Sequence, residues 1–342
     1  ISMAPKPVLV LAATSDFFPI EGTRRTVERA KRMWKIYDKT DNIELFEDNS
    51  IHKYTCSMAK VAAEFFSKHL TNKKCSINLI PDEQVELVES SHLWCTKSGQ
   101  VRSDLSDSMF IYEENLNRLN EIKKHRESIP YISRMEIALK WLKERVLYNR
   151  KPCDFNYREF ISTNVDELII KTYIWWAQEN IFNYGILFKN YKFITEKIPA
   201  TIAIWDGGTT QIQPHIKWIR DVCKSGRAVM VVDTSGVGNL LPNPIRNTSP
   251  LDFYGVIHTL FNDLMWLGDS IAALRTYDVL RTIELLKQLP KVSKDGIQLY
   301  GYGKQGLYAQ LATALNDNIK YIETIGGIES FTEFVKSRYY DR

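Results

Sequence analysis

The sequence lacks the markers of several functional classes. Its five cysteines, Cys56, Cys75, Cys95, Cys153 and Cys223, are odd in number and form no CxxC spacing. That argues against a zinc site and against a disulfide scaffold, and it leaves the compartment open. Net charge is low: 45 basic against 41 acidic side chains, a formal +4. Nucleic-acid binders usually concentrate positive charge on one stripe. The run Lys123, Lys124, His125, Arg126 is diluted by Glu121 and Glu127 and reads as a solvated helix face. No apolar run reaches the roughly eighteen residues of a membrane span. Neither nucleic acid nor a membrane is therefore expected as a partner. The phosphate-loop pattern G-x-x-x-x-G-K-[ST] is missing. His69, His92, His125, His215 and His258 pair with no acid at ligand spacing, so no metal and no cofactor is expected. The start, Ile1-Ser2-Met3-Ala4-Pro5, shows no signal-peptide pattern, which a fragment would also lack.

What is present is apolar substance: 44% hydrophobic and 12% aromatic residues in 342, enough to bury one large core. Pro7–Ala13 (PVLVLAA) predicts a strand buried on both faces, as in a parallel sheet. Thr23–Tyr37 predicts an amphipathic helix with Val27, Ala30, Met33 and Trp34 on one stripe. Ile43–Phe46 predicts a second strand, and Met58, Val61, Ala62, Phe65 and Phe66 mark a second helix. Together these make a βαβα unit. Further on, Val85–Val88 is a candidate strand, and Phe110–Lys124 and Met135–Tyr148 read as helices. Leu168–Trp176 and Tyr184–Leu187 read as an antiparallel strand pair. From Ala200 the α/β rhythm returns. Strands are expected at 201–205, 228–232, 297–300 and 319–324, and helices at 213–223, 271–289 and 307–315. The expectation is α/β, with about eight strands, mostly parallel, in one sheet. Three segments follow: 1–70, a linking and helical segment 71–159, and 160–342.

Three places could carry chemistry. Asp16 follows the first strand and His52 follows the second. Catalytic groups of open α/β sheets gather at the carboxyl ends of strands. An acid that orients an imidazole base is the core of triad hydrolysis. The plainer alternative is a capping aspartate and an ordinary loop histidine. The second place is the turn Gly301-Tyr302-Gly303-Lys304-Gln305-Gly306, where a strand feeds a helix as in the nucleophile elbow G-x-S-x-G. Gly303 stands at the serine position and has no side chain to attack with. Lys304, next to it, would need strong desolvation to act as a nucleophile. The turn also fits G-x-G-x-x-G literally, but the following strand ends in Glu323-Thr324, which supports a dinucleotide site only weakly. The third place is Asp206-Gly207-Gly208-Thr209, whose small residues could leave amides open to an oxyanion or simply make a turn. The stretch Asp233–Gly238 (DTSGVG) resembles it, with Ser235 a remote nucleophile option.

Together these pieces resemble the α/β-hydrolase superfamily, in particular its acetyl xylan esterase and cephalosporin deacetylase-like branch. APKPVLVLAATSDFFPIEG resembles the strand and loop that carry the triad acid, Asp16. The segment ending His52-Lys53-Tyr54 resembles the histidine loop. WDGG at 205–208 resembles the oxyanion loop, and GYGKQG at 301–306 the elbow. The resemblance implies a three-layer sandwich and hydrolysis of small acyl esters such as acetate on carbohydrate. It also leans towards an extracellular or periplasmic setting. Two departures stand out. The acid and histidine precede the elbow, as in a circular permutant, or in a tandem of two domains where the tail of one meets the head of the next. The missing half of such a tandem, or a second copy, is then a partner. The other departure is Gly303, which implies an impaired esterase or, alternatively, a non-catalytic binding or scaffold domain.

Overall fold

The computed structural model describes residues 1–73, 76–78, 87–244 and 249–337. It divides into two compact units, Ile1–Ser108 and Met109–Arg342.

The first unit is the expected βαβα: β1 (Val8–Ala13), α1 (Ile20–Ile36), β2 (Ile43–Asp48) and α2 (Cys56–Thr71). β1 and β2 pair in parallel from Val8↔Ile43 to Ala13↔Asp48, so their carboxyl ends lie side by side. α1 forms because Val27, Ala30 and Trp34 recur at helical spacing. That stripe buries against Ile43, Val8, Val10 and Leu45. Trp34 is 1% exposed, and its Nε1–H donates to the Lys6 carbonyl at 3.0 Å. Thr55 caps α2, its hydroxyl accepting from Met58 N. A short α3 (Val101–Asp104) follows. Of the candidate strand Val85–Val88, Val85 and Glu86 lie outside the described residues.

The second unit opens with α4 (Ile111–Ser128) and α5 (Tyr131–Val146). Next come β3 (Arg158–Val165), β4 (Leu168–Gln178), β5 (Ile181–Asn190), β6 (Ala200–Ile204), α6 (Ile216–Lys224) and β7 (Ala228–Asp233). The unit closes with α7 (Val256–Trp266), α8 (Ile271–Leu286), β8 (Gln298–Tyr302), α9 (Gly306–Ala314), β9 (Ile322–Ile325) and α10 (Phe331–Lys336). The sheet order is β3-β4-β5-β7-β6-β8-β9. β3 to β7 pair antiparallel in succession, as expected for β4 and β5, while β6 pairs in parallel with β7 and β8, and β8 with β9.

The core follows strand alternation. Ile202, Ile204, Met230 and Val232 point to one face, where Val279 and Ile283 of α8 and Ala309 and Ala312 of α9 cover them. Ala203, Val229 and Val231 point to the other, against Ile219 and Cys223 of α6. Helices on both faces make the three layers of an α/β sandwich.

The α/β architecture is as expected; among the described residues seven strands form one sheet and two, β1 and β2, pair in another. Local apolar runs announce that a strand is buried; they do not announce which strand it sits beside.

Candidate functional site

The parallel register of β1 and β2 sets the first site. Three residues beyond Ala13 stands Asp16, and four beyond Asp48 stands His52. The two loops are stitched together by backbone: Thr14 N donates to the Asp48 carbonyl at 2.9 Å and Ser15 N to the Ser50 carbonyl at 3.0 Å. Thr14 Oγ1 adds a bond to Asn49 Oδ1 at 3.1 Å. His52 Nδ1 then lies 2.8 Å from Asp16 Oδ2. A carboxylate only accepts, so it is Nδ1–H that donates to Asp16. Asp16 Oδ1 accepts from Phe18 N at 3.0 Å. The His52 contact, followed by the Phe18 amide, holds the Asp16 carboxyl below the usual carboxylate range. The imidazole is open to solvent, 60% exposed against 15% for the aspartate. Phe17 lies beside it at 4.3 Å and Phe18 meets it edge-on at 6.4 Å.

The second unit holds the other sequence candidates. β8 ends at Tyr302, Gly303 takes φ +65° and α9 starts at Gly306. This is the strand–turn–helix setting of an elbow. Gly301 is required there, because a Cβ on it would lie 2.5 Å from the Gly306 Cα. A Cβ on Gly303 would lie 2.8 Å from Asp206 Oδ2, so a side chain there requires the Asp206 carboxylate to shift. The buried Gln305 links both neighbours: its Oε1 accepts from Thr234 Oγ1 at 3.3 Å, and its Nε2 reaches Asp206 Oδ1 at 3.5 Å. Lys304 is exposed.

In the WDGG turn, Gly207 and Gly208 both take positive φ. Gly208 N donates to the Trp205 carbonyl, and Trp205 Nε1 donates to the Gly208 carbonyl at 2.8 Å. The turn is anchored by Asp233, which is fully buried. Its carboxylate accepts from Thr209 N and Oγ1, both at 2.6 Å, and from Asn239 N at 2.8 Å. Burial nevertheless pushes its carboxyl above the usual range. Ser235 is held by its backbone, N to Asp278 Oδ2 at 2.7 Å and the carbonyl to Arg275 Nε at 2.9 Å.

Sequence reasoning passed over His215. Its ring stacks on Trp205 at 4.0 Å and meets Tyr302 edge-on at 5.1 Å. Burial holds its imidazole below the usual histidine range. Trp205 follows β6 and Tyr302 ends β8, so no local pattern marks it.

Among the described residues no cluster of three or more histidines, cysteines or carboxylates could hold a metal ion. None of the described helices is long and apolar enough to cross a membrane.

The sheet order, the covered faces and the strand–turn–helix after β8 decide the architecture. The second unit is a three-layer α/β fold on a mixed seven-stranded sheet. No family model matches the sequence, and no curated protein matches it. Solved structures do. A protein of Bacteroides fragilis provisionally assigned as an acetyl xylan esterase matches at 13% identity and a TM-score of 0.46, over 56% of this chain and 53% of that one. Acetyl xylan esterase 1 of Thermoanaerobacterium sp. matches at 15% and 0.41, over 57% and 62%. A glucuronoyl esterase of Solibacter usitatus matches at 14% and 0.40, over 55% and 56%. The match thus spans just over half the length of these solved structures.

Proposed function

We propose that this chain is a carboxylester hydrolase-like protein for small acyl esters, such as acetyl groups on carbohydrate, in which Asp16 and His52 form the acid–base pair. The observation that carries this reading is the 2.8 Å bond from His52 Nδ1 to Asp16 Oδ2. It fixes the tautomer and turns the basic Nε2 outward. In this scheme Nε2 takes the proton of an attacking hydroxyl as its oxygen bonds to the acyl carbon. It then returns the proton to the departing alkoxide, giving an alcohol and an acyl product. Gly303 supplies no hydroxyl, so the isolated chain is impaired, with water as the attacking group. A serine elbow on a second copy, or on the missing half of a tandem protein, would complete the triad.

Hydrolysis of p-nitrophenyl acetate tests the pair. His52→Ala should lower the rate towards that of buffer, and Asp16→Asn should lower it about tenfold or more by freeing the ring. His125→Ala, which removes another exposed imidazole, should leave it unchanged. Equal rates for the unsubstituted chain and His52→Ala would falsify the catalytic reading.

A second reading, a non-catalytic binding or scaffold domain, is favoured by one observation: the Asp206 carboxylate 2.8 Å from where a Gly303 Cβ would lie, which crowds any side chain there. On that reading Gly303→Ser gains no His52-dependent activity, even when paired with Asp206→Gly to make room.

A further inference from the structure

α1 carries six basic residues, Arg24, Arg25, Arg29, Lys31, Arg32 and Lys35, against Glu21 and Glu28, an excess of four in 17 residues. The whole chain has a formal charge of +4. The remaining residues sum to zero, so the excess on this one helix equals that of the whole chain. Two of the six are engaged: Arg24 bonds both oxygens of Glu47, at 2.8 and 2.5 Å, and Lys31 bonds Glu28 at 2.7 Å. Arg25, Arg29, Arg32 and Lys35 have no side-chain partner among the described residues. Helical spacing puts Arg25, Arg29, Arg32 and Ile36 in one row, at i, i+4, i+7 and i+11, opposite the buried Val27, Ala30 and Trp34. The row is about 16 Å long at 1.5 Å per residue. All four of its residues are exposed, Ile36 at 71%. Beside it runs a surface groove of about 450 Å³ lined by Arg25, Glu28, Arg29, Lys31, Arg32, Lys35 and Thr40.

We propose that this face of α1 docks an acidic amphipathic helix of a partner protein. Like-charged guanidiniums in a row repel one another, and a partner with carboxylates at matching i, i+4, i+7 positions relieves this with charge-assisted bonds. An apolar residue at its i+11 position covers Ile36. A phosphate backbone fits less well. It offers acceptors only, it meets Glu28 inside the groove, and it leaves Ile36 bare. An anionic membrane fits less well too, because surface-seeking helices lower an apolar face into the lipid. The apolar face of α1 is already packed on its own sheet.

The test is fluorescence anisotropy with the full chain and a labelled helical peptide of about five turns (about 18 residues). The peptide carries Glu at i, i+4 and i+7 and Leu at i+11. The comparators are a peptide of the same composition with its glutamates spread around the helix, an oligothymidylate and phosphatidylserine vesicles. The patterned peptide should bind. Binding should fall about tenfold or more in the combined Arg25→Glu, Arg29→Glu, Arg32→Glu variant, severalfold in Ile36→Ser, and steeply with added salt. These side chains are exposed, so the variants should keep the parent circular dichroism and melting curve. The proposal is overturned if the patterned peptide does not bind, or if the spread peptide binds equally well. It is also overturned if the oligonucleotide or the vesicles bind more tightly and lose that binding in the triple variant. None of these readouts depends on ester hydrolysis.

Discussion

At the residue scale, the Asp16–His52 contact was legible because it needs only two strand ends side by side, and strand ends can be read from apolar runs. The surroundings of Gly303 were not. Asp206 comes from the turn after β6 and reaches the elbow after β8, a meeting that only the sheet order brings about. Two single residues give sharp expectations. The Asp16 carboxyl is held low chiefly by His52. The pair's contribution is therefore complete above the ordinary carboxylate range and is lost as pH falls through the lowered folded value. Carboxyl carbon NMR should show Asp16 titrating below a reference aspartate, and His52→Ala should return it upward. A midpoint indifferent to His52 would contradict the bond. Asp233 is the opposite kind of residue, fully buried and accepting three bonds at the base of two loops. Replacing it with alanine leaves those donors buried and unpaired, at a cost of about 3 kcal/mol or more. Urea unfolding of Asp233→Ala against Asp233→Asn should show the asparagine, which still accepts, as the milder change.

At the element scale, the sequence announced helices and strands where periodicity is strong. The β4–β5 pair and α8 were read within a few residues of their ends. β3 was missed because all eight of its residues are exposed, so an edge strand with both faces wet shows no alternation of apolar and polar positions. α7 was passed over although Val256, Ile257, Leu260, Phe261, Leu264 and Met265 recur at helical spacing. The charge balance misled in another way. A total of +4 looks featureless until it is seen to sit on α1. Between elements, α8 grips the loop after β7 through Asp278, which is fully buried and receives Ser235 N at 2.7 Å. Burial raises its carboxyl to about 6. The folded chain thus holds this proton more tightly than the unfolded one, and the contribution is complete below about pH 4 and lost as pH rises through about 6. Relative to Asp278→Asn, the unsubstituted chain should lose about 3 kcal/mol between those limits and nothing further above them. Denaturant melts of both proteins across that range measure it, and a pH-independent difference would exclude Asp278 as the source. The elbow makes a second element-level demand. Gly301→Ala forces β8 and α9 apart at a backbone-to-backbone contact, so it should lower stability by about 2 kcal/mol or more.

At the scale of the whole molecule, the two units are unequally equipped to stand alone. Met109–Arg342 contains the seven-stranded sheet with helices on both faces, and its two largest clusters are built on residues such as Ile202, Met230, Ile283 and Leu299, each at most 1% exposed. Among the described residues, Ile1–Ser108 contains two strands and a small core around Trp34. A two-stranded parallel sheet presents two open edges and little apolar area to bury, which seldom suffices for independent stability. A fragment from Met109 onward should therefore unfold cooperatively by heat. A fragment ending at Ser108 should show a shallow, weakly cooperative melt and rapid amide exchange in β1 and β2. The proposed acid–base pair sits on that weaker unit, so its geometry is exposed to anything that loosens β1 and β2. Conditions that open the first unit while sparing the second, such as low urea, should abolish His52-dependent ester hydrolysis before the main unfolding transition of the sheet. Coincident loss of both signals would mean that the two units unfold as one.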